Sequence, residues 1–158
     1  MALEIEHKFL LKNDNWKTEV SRSVQYKQGY LISDKKRSVR IRTSDEQAWL
    51  NIKSATIGTS RQEYEYEIPY QEGLEILNTL CQKPILEKVR HFVTFEQHTW
   101  EIDVFTGDNL GLIVAEVELS KIGEYFAKPN WIGKEVTQEI RYYNNSLCKD
   151  PYKNWSAK

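Results

Sequence analysis

Apolar and polar residues alternate along most of this chain, the pattern of half-buried β-strands. Residues 3–11 set Ile5 and Phe9 on one face and Glu4, Glu6 and Lys8 on the other. Asp14 stands where it caps a short helix reaching about Arg22, and extended stretches follow at 25–32, 38–43, 48–55 and 62–69. Asp45-Glu46 and Ile57-Gly58-Thr59 supply turn chemistry between them. The period then becomes helical over 71–82, with Leu74, Leu77 and Cys81 on one face beside Ile76 and Leu80, and Pro84 closes the segment. Strand patterning returns at 86–96, 99–105 and 112–120, with Gly107-Asp108-Asn109 as a turn. A second helical period spans 137–148 and stops at Lys149-Asp150-Pro151. Eight strands joined by hairpin-length loops predict an antiparallel sheet that curls or closes, with helices packed against it.

The length of 158 residues suits one domain over 1–158, because no repeat or linker divides the chain. Its 22 basic and 23 acidic residues leave a net charge of −1, which argues against a nucleic-acid binder held by a general basic surface. The sequence predicts no membrane span. Cys81 and Cys148 have neither metal-ligand nor redox spacing, so a reducing, cytoplasmic location is expected.

The charges change the picture because they are sorted by strand. Five strands carry a like-signed pair at i and i+2: Glu4/Glu6, Arg40/Arg42, Glu63/Glu65, Lys88/Arg90 and Glu116/Glu118. Lys53 and Asp103 add one charge each on two more strands. The plain reading is a solvated face. Against it, a decorated surface interleaves signs, since like charges about 7 Å apart repel by roughly 0.6 kcal/mol in water and more when desolvated. Arginine also presents the planar fork that suits phosphate. The intervening Ile5, Ile41, Tyr64, Val89 and Val117 belong under helices, which turns the charged faces toward one another. An interior of carboxylates and guanidiniums calls for an anionic ligand and hard divalent cations such as Mg²⁺ or Mn²⁺. The pattern reads as a polyphosphate site.

The segments EIEHKFLL, QGYL (28–31), VRIR (39–42), LNIK (50–53), RQEYEYEI (61–68), LEKVR (86–90), WEIDVF (100–105), GLIVAEVEL (111–119) and WIGKEVT (131–137) together resemble the bacterial CYTH proteins, the triphosphate tunnel metalloenzymes. The resemblance covers nearly the whole chain. It implies a mainly β (α+β) fold, an eight-stranded antiparallel β-barrel tunnel with a charged lumen and helices packed outside. It implies metal held at the positions of Glu4, Glu6 and Glu118, with Glu116 and Asp103 near a second ion. Arg40, Arg42, Lys53, Lys88 and Arg90 would grip the phosphates, and Glu63 and Glu65 occupy an acidic strand of open role. Activities in the family include inorganic, thiamine and RNA triphosphatases and class IV adenylyl cyclase.

Among single residues, Lys8 is a candidate base if neighbouring cations lower its pKa, with Tyr30 paired to it as in short members of that family. Lys134 is a candidate phosphate ligand at one mouth. Arg61 reads as a strand-end charge, His7, His91 and His98 as structural, and Trp16, Trp49, Trp100, Trp131 and Trp155 as packing residues between helices and sheet. With no phosphate-binding glycine loop and no evident adenine pocket, a compact small-molecule triphosphate is the expected partner, hydrolysed to pyrophosphate and phosphate. Neither nucleic acid nor membrane is expected, and the chain is monomeric or homodimeric. Adenylyl cyclase, thiamine triphosphatase and a non-catalytic polyphosphate-binding module are the rival readings.

Overall fold

The computed structural model describes residues 3–156; residues 1, 2, 157 and 158, which the one-domain expectation includes, lie outside that range. Nine antiparallel strands are present among the described residues. They are β1 (Leu3–Leu11), β2 (Arg22–Ser33), β3 (Arg37–Thr43), β4 (Ala48–Ser54), β5 (Ser60–Ile68), β6 (Leu86–Phe95), β7 (His98–Phe105), β8 (Ile113–Leu119) and β9 (Ile132–Glu135). Two α-helices, α1 (Tyr70–Thr79) and α2 (Asn144–Lys149), accompany them. The strands run β5-β4-β3-β2-β6-β7-β8-β1-β9, and β5 also touches β1. No helix among the described residues is long and apolar enough to cross a membrane.

The expected eight-stranded barrel is corrected here. Eight strands form a ring, but the ring is no true barrel, because its closure is short. β1 and β5 pair only at Leu3↔Gln62, Glu4↔Arg61 and Ile5↔Ser60. Farther along, the same edge of β1 is taken by a ninth strand, with Phe9 opposite Glu135 and Leu11 opposite Ile132. β5 beyond Gln62 pairs with β4 alone among the described residues. β9 escapes a pattern search because four residues containing Gly133 carry no readable alternation. A Cβ at Gly133 would lie 3.0 Å from the Leu10 carbonyl oxygen, so glycine lets this strand come close to β1.

The helices are also shorter than the periodicity predicts. The stretch after Asp14 is a 3₁₀ turn, Asn15–Glu19, with no side-chain cap, and β2 already starts at Arg22. The 137–148 segment divides into a 3₁₀ turn at Ile140–Tyr142 and α2, because Tyr143 between them is extended.

Alternation along the strands produces two coats. On the outer face of β1, β6, β7 and β8, Ile5, Phe9, Val93, Trp100, Ile102 and Val117 form one cluster with Trp16 and Trp131. On β3, Ile41 meets Leu77 of α1. That helix lies close to the sheet because Gly73 faces Ala48, where a Cβ would come within 2.3 Å of the alanine side chain. Each such aliphatic side chain removed from water contributes about 2 kcal/mol.

The inward face is not uniform. Leu86, Phe105 and Val114 share their strand faces with Lys88, Asp103 and Glu116 by the period of two. These three apolar residues bury Leu147 of α2 and Trp155 between them. One end of the interior is therefore filled by apolar packing, and the charges occupy the rest.

Candidate active site

Inward side chains of β1, β3, β4, β5, β6, β7 and β8 surround a cavity of about 180 Å³. A second lobe continues past Lys8, Tyr30, Tyr143 and Asn145. Glu4, Glu6, Arg40, Arg42, Lys53, Glu63, Glu65, Arg90, Glu116 and Glu118 all reach the main cavity, as strand parity predicts.

Most of the carboxylates are already engaged. Arg61 Nε donates to Glu4 at 2.7 Å and Lys53 Nζ approaches it at 3.2 Å. Burial opposes ionisation of Glu4, but these two cations outweigh it and hold the carboxyl at about 2. Lys53 Nζ also lies 3.4 Å from Glu63, and Arg42 Nη2 lies 3.5 Å from Glu65. Asp103 accepts from Lys88 Nζ at 2.7 Å and from Arg90 at 2.8 and 3.0 Å. Despite its burial it stays at about 2, because Arg90 and then Lys88 face it. Asp103, expected near a second ion, here anchors Lys88 and Arg90. Burial and the nearby Arg90 outweigh Asp103 at the Lys88 ammonium and bring it down to about 7. Lys88 is 1% exposed and stands behind the cavity wall.

Lys8 contradicts the expectation of a lowered pKa. Its ammonium donates to Glu116 at 2.8 Å, and Lys8 and Glu116 are register partners on β1 and β8. Burial pulls its pKa down, but Glu116 and then Glu6 override this and raise it, so Lys8 keeps its proton. Its aromatic neighbour is Tyr143, whose ring centroid is 5.4 Å from Nζ, and Tyr30 instead stands opposite Arg40, its register partner on β3. Burial raises the Tyr30 phenol above its ordinary range.

The next rung of the same strand pair behaves differently. Glu6 and Glu118 are register partners, like-charged and directly opposed. Neither side chain has a hydrogen bond or ion pair among the described residues. Burial, then Glu116 and Glu4, push Glu6 well above the usual carboxylate range. Burial, then Glu4, Glu101 and Glu63, raise Glu118 to about 7. No three His, Cys, Asp or Glu side chains already converge as a metal set among the described residues. The donor chemistry of this rung nevertheless fits a hard cation: two uncompensated carboxylates, oxygen-only, with Glu4 beside them on β1.

Several residues have roles that the sequence analysis did not assign them. Arg61 lines both lobes instead of ending a strand. Asn51, wholly buried, receives Arg40 Nε at 3.2 Å and donates to Glu63 and Glu65 at 3.2 and 2.9 Å. Glu101 pairs with Arg90. Trp49 points inward, its ring 4.9 Å from the Arg42 guanidinium, which also lies 4.5 Å from Tyr26. Parity along β4 and β7 was the available signal for Asn51, Trp49 and Glu101. Lys134 lies away from the cavity, its side chain 70% exposed and paired with Glu139. The three histidines sit outside, held by Glu135, Ser23 and Glu124.

An antiparallel ring whose inner wall carries opposed carboxylates and arginine rows defines a class of anion- and cation-handling folds. Residues 2–152 match the CYTH domain family, and the chain belongs to it. It is 48% identical over 155 residues to an inorganic triphosphatase of Acetivibrio thermocellus, covering 98% of this chain and 99% of that one. An inorganic triphosphatase of Nitrosomonas europaea is 32% identical over 149 residues, covering 92% and 96%. The crystal structure of an inorganic triphosphatase superposes with a TM-score of 0.65 at 30% identity, covering 94% and 95%. A Pyrococcus furiosus protein, at 19% identity and a TM-score of 0.60 over 76% of this chain and 80% of that one, shares the fold.

Proposed function

We propose that this protein is an enzyme that hydrolyses inorganic triphosphate to pyrophosphate and phosphate in the ring interior, with Mg²⁺ or Mn²⁺. The observation that carries the reading is the free Glu6/Glu118 rung facing a wall of cations. The named activity of two relatives that align over nearly their full length supports it. The matched family spans 2–152, which supports one domain.

Glu6 and Glu118 would hold the ion, and Glu4 would join them as a phosphate draws Lys53 and Arg61 away. When bound, the ion supplies charge neutralisation at the phosphoryl oxygens. Arg40, Arg42, Lys53, Arg61 and Arg90 bind the remaining phosphate oxygens, and Tyr26 and Trp49 fix the plane of Arg42. Asn51 holds Arg40 in place. Lys8, kept protonated by Glu116, ties β1 to β8 behind this site. Hydrolysis forms a bond from water oxygen to the terminal phosphorus as its bond to the bridging oxygen breaks. Positioning and charge compensation by this wall supply the rate.

Phosphate release from inorganic triphosphate, with ATP and thiamine triphosphate in parallel, tests the reading under Mg²⁺, Mn²⁺ or a chelator. Metal-dependent release favouring triphosphate is expected. Equal release from chelated protein, or cyclic AMP formed from ATP, would refute it.

A further inference from the structure

Carboxylates hold nearly every cation that lines the cavity. Lys8 has Glu116, Lys53 has Glu4 and Glu63, and Arg61 has Glu4. Arg42 has Glu65, and Arg90 has Asp103 and Glu101. Arg40 is the exception: it lines both lobes, is 6% exposed, and has no carboxylate partner among the described residues. A neutral group holds its guanidinium instead, the Asn51 side-chain oxygen 3.2 Å from Nε. Arg40, Asn51 and Glu65 follow one another as register partners across β3, β4 and β5. Glu65 and Glu63 turn to the Asn51 amide nitrogen, at 2.9 and 3.2 Å. Asn51 is wholly buried and lines neither lobe, so whatever it does for a ligand it does through its neighbours.

A carboxamide suits this position because its oxygen accepts from a cation on one side and its nitrogen donates to two anions on the other. Aspartate, of the same shape, would neutralise Arg40 and repel both glutamates. A buried guanidinium without a countercharge is costly, and an arriving anion relieves that cost. We infer that Asn51 is the positioning residue that keeps Arg40 open to an anion: it fixes the guanidinium through Nε and holds Glu63 and Glu65 back from it, so that the first phosphoryl group docks on Arg40 without displacing a carboxylate. The inference rests on the triphosphate reading of this interior and adds an order of contacts to it. Arg40 binds first and needs no metal, whereas Lys53 and Arg61 must be drawn off Glu4 before a phosphate can use them.

The test measures calorimetric binding of inorganic triphosphate to chelated full-length protein, beside melting temperature and steady-state kinetics with Mg²⁺. Wild type should bind without metal. Asn51→Asp is expected to weaken that binding roughly tenfold and to raise KM by a similar factor, with kcat within about threefold of wild type. In an Arg40→Met background, Asn51→Asp should weaken binding by less than about twofold further, because the two residues act as one unit. Asn51→Ser brings in no charge and keeps an acceptor for Arg40, so it should weaken metal-free binding by only about threefold; it carries the test if Asn51→Asp does not fold. Either Asn51 variant melting lower than wild type while binding chelated triphosphate equally well overturns the inference and leaves Asn51 a structural tie. An equal loss with and without Arg40 also overturns it. Wild type that binds without metal, loses this in Asn51→Asp, and yet releases no phosphate upholds the docking role and removes the hydrolase reading. Turnover with Mg²⁺ but no metal-free binding overturns the inference and leaves that reading standing.

Discussion

Two neighbouring rungs of one strand pair, Lys8/Glu116 and Glu6/Glu118, are built on the same backbone and face the same cavity. The first is closed: an ammonium and a carboxylate 2.8 Å apart neutralise each other. The second is open: two carboxylates oppose each other and both are raised above their ordinary range. A fold selected for stability alone would give the second rung a cation as well. The difference separates a rung that holds the wall together from one that awaits a ligand.

The largest effect should come from the open rung. Glu6→Gln removes a carboxylate whose ion is worth several kcal/mol of transition-state charge, so kcat should fall on the order of 10³-fold. The same variant, free of metal, should melt higher because a repulsion is gone. Turnover within threefold of wild type would close the case against a metal role for Glu6.

The closed rung should answer in stability. Lys8→Met leaves Glu116 buried without its partner at a cost of about 3–5 kcal/mol, so Tm should drop by roughly 10 °C. A drop of only a degree or two would show that Arg90 and Lys88 suffice for Glu116.

A pH titration separates the rungs further. Glu118 titrates near 7 in the folded protein against 4.5 when unconstrained, so folding favours its protonated form. Its contribution is fully present below 4.5 and is lost as pH rises through 7. Because Glu118 is partly solvated, the loss is on the order of 1 kcal/mol, a fall in Tm of about 3 °C. Glu118→Gln should flatten that slope in chelated protein, and Mg²⁺ should reverse it. Glu4 and Asp103, both near 2, titrate with the opposite sign and only below 4.5. A slope unchanged by Glu118→Gln would assign the effect elsewhere. The smallest change belongs to Lys134→Ala, where exposure predicts turnover within twofold and Tm within about a degree of wild type.

Strand faces were legible in the sequence because a period of two is local: Glu4, Glu6, Arg40, Arg42, Glu116 and Glu118 point inward by parity alone. Pairing is not local. The sign of the shift at Lys8 depends on Glu116, which the register of β1 and β8 brings opposite. Arg61 faces Glu4 only because the ring closes at that rung. Apolar periodicity marks Leu147 as a buried helical residue, but nothing in its segment says that it docks inside the ring against Leu86 and Val114. Four-residue β9 leaves no pattern at all, and it is the strand that turns the expected barrel into a clasped ring.

That clasp has a mechanical meaning. A hoop sewn along its full height keeps one circumference, whereas a hoop fastened at three rungs has a place to give. The middle rung is Glu4↔Arg61, joined by side chains as well as by strand pairing. Glu4 and Arg61 are thus buckle and inner wall at once, so the closure of the hoop and the lining of its interior share the same two side chains.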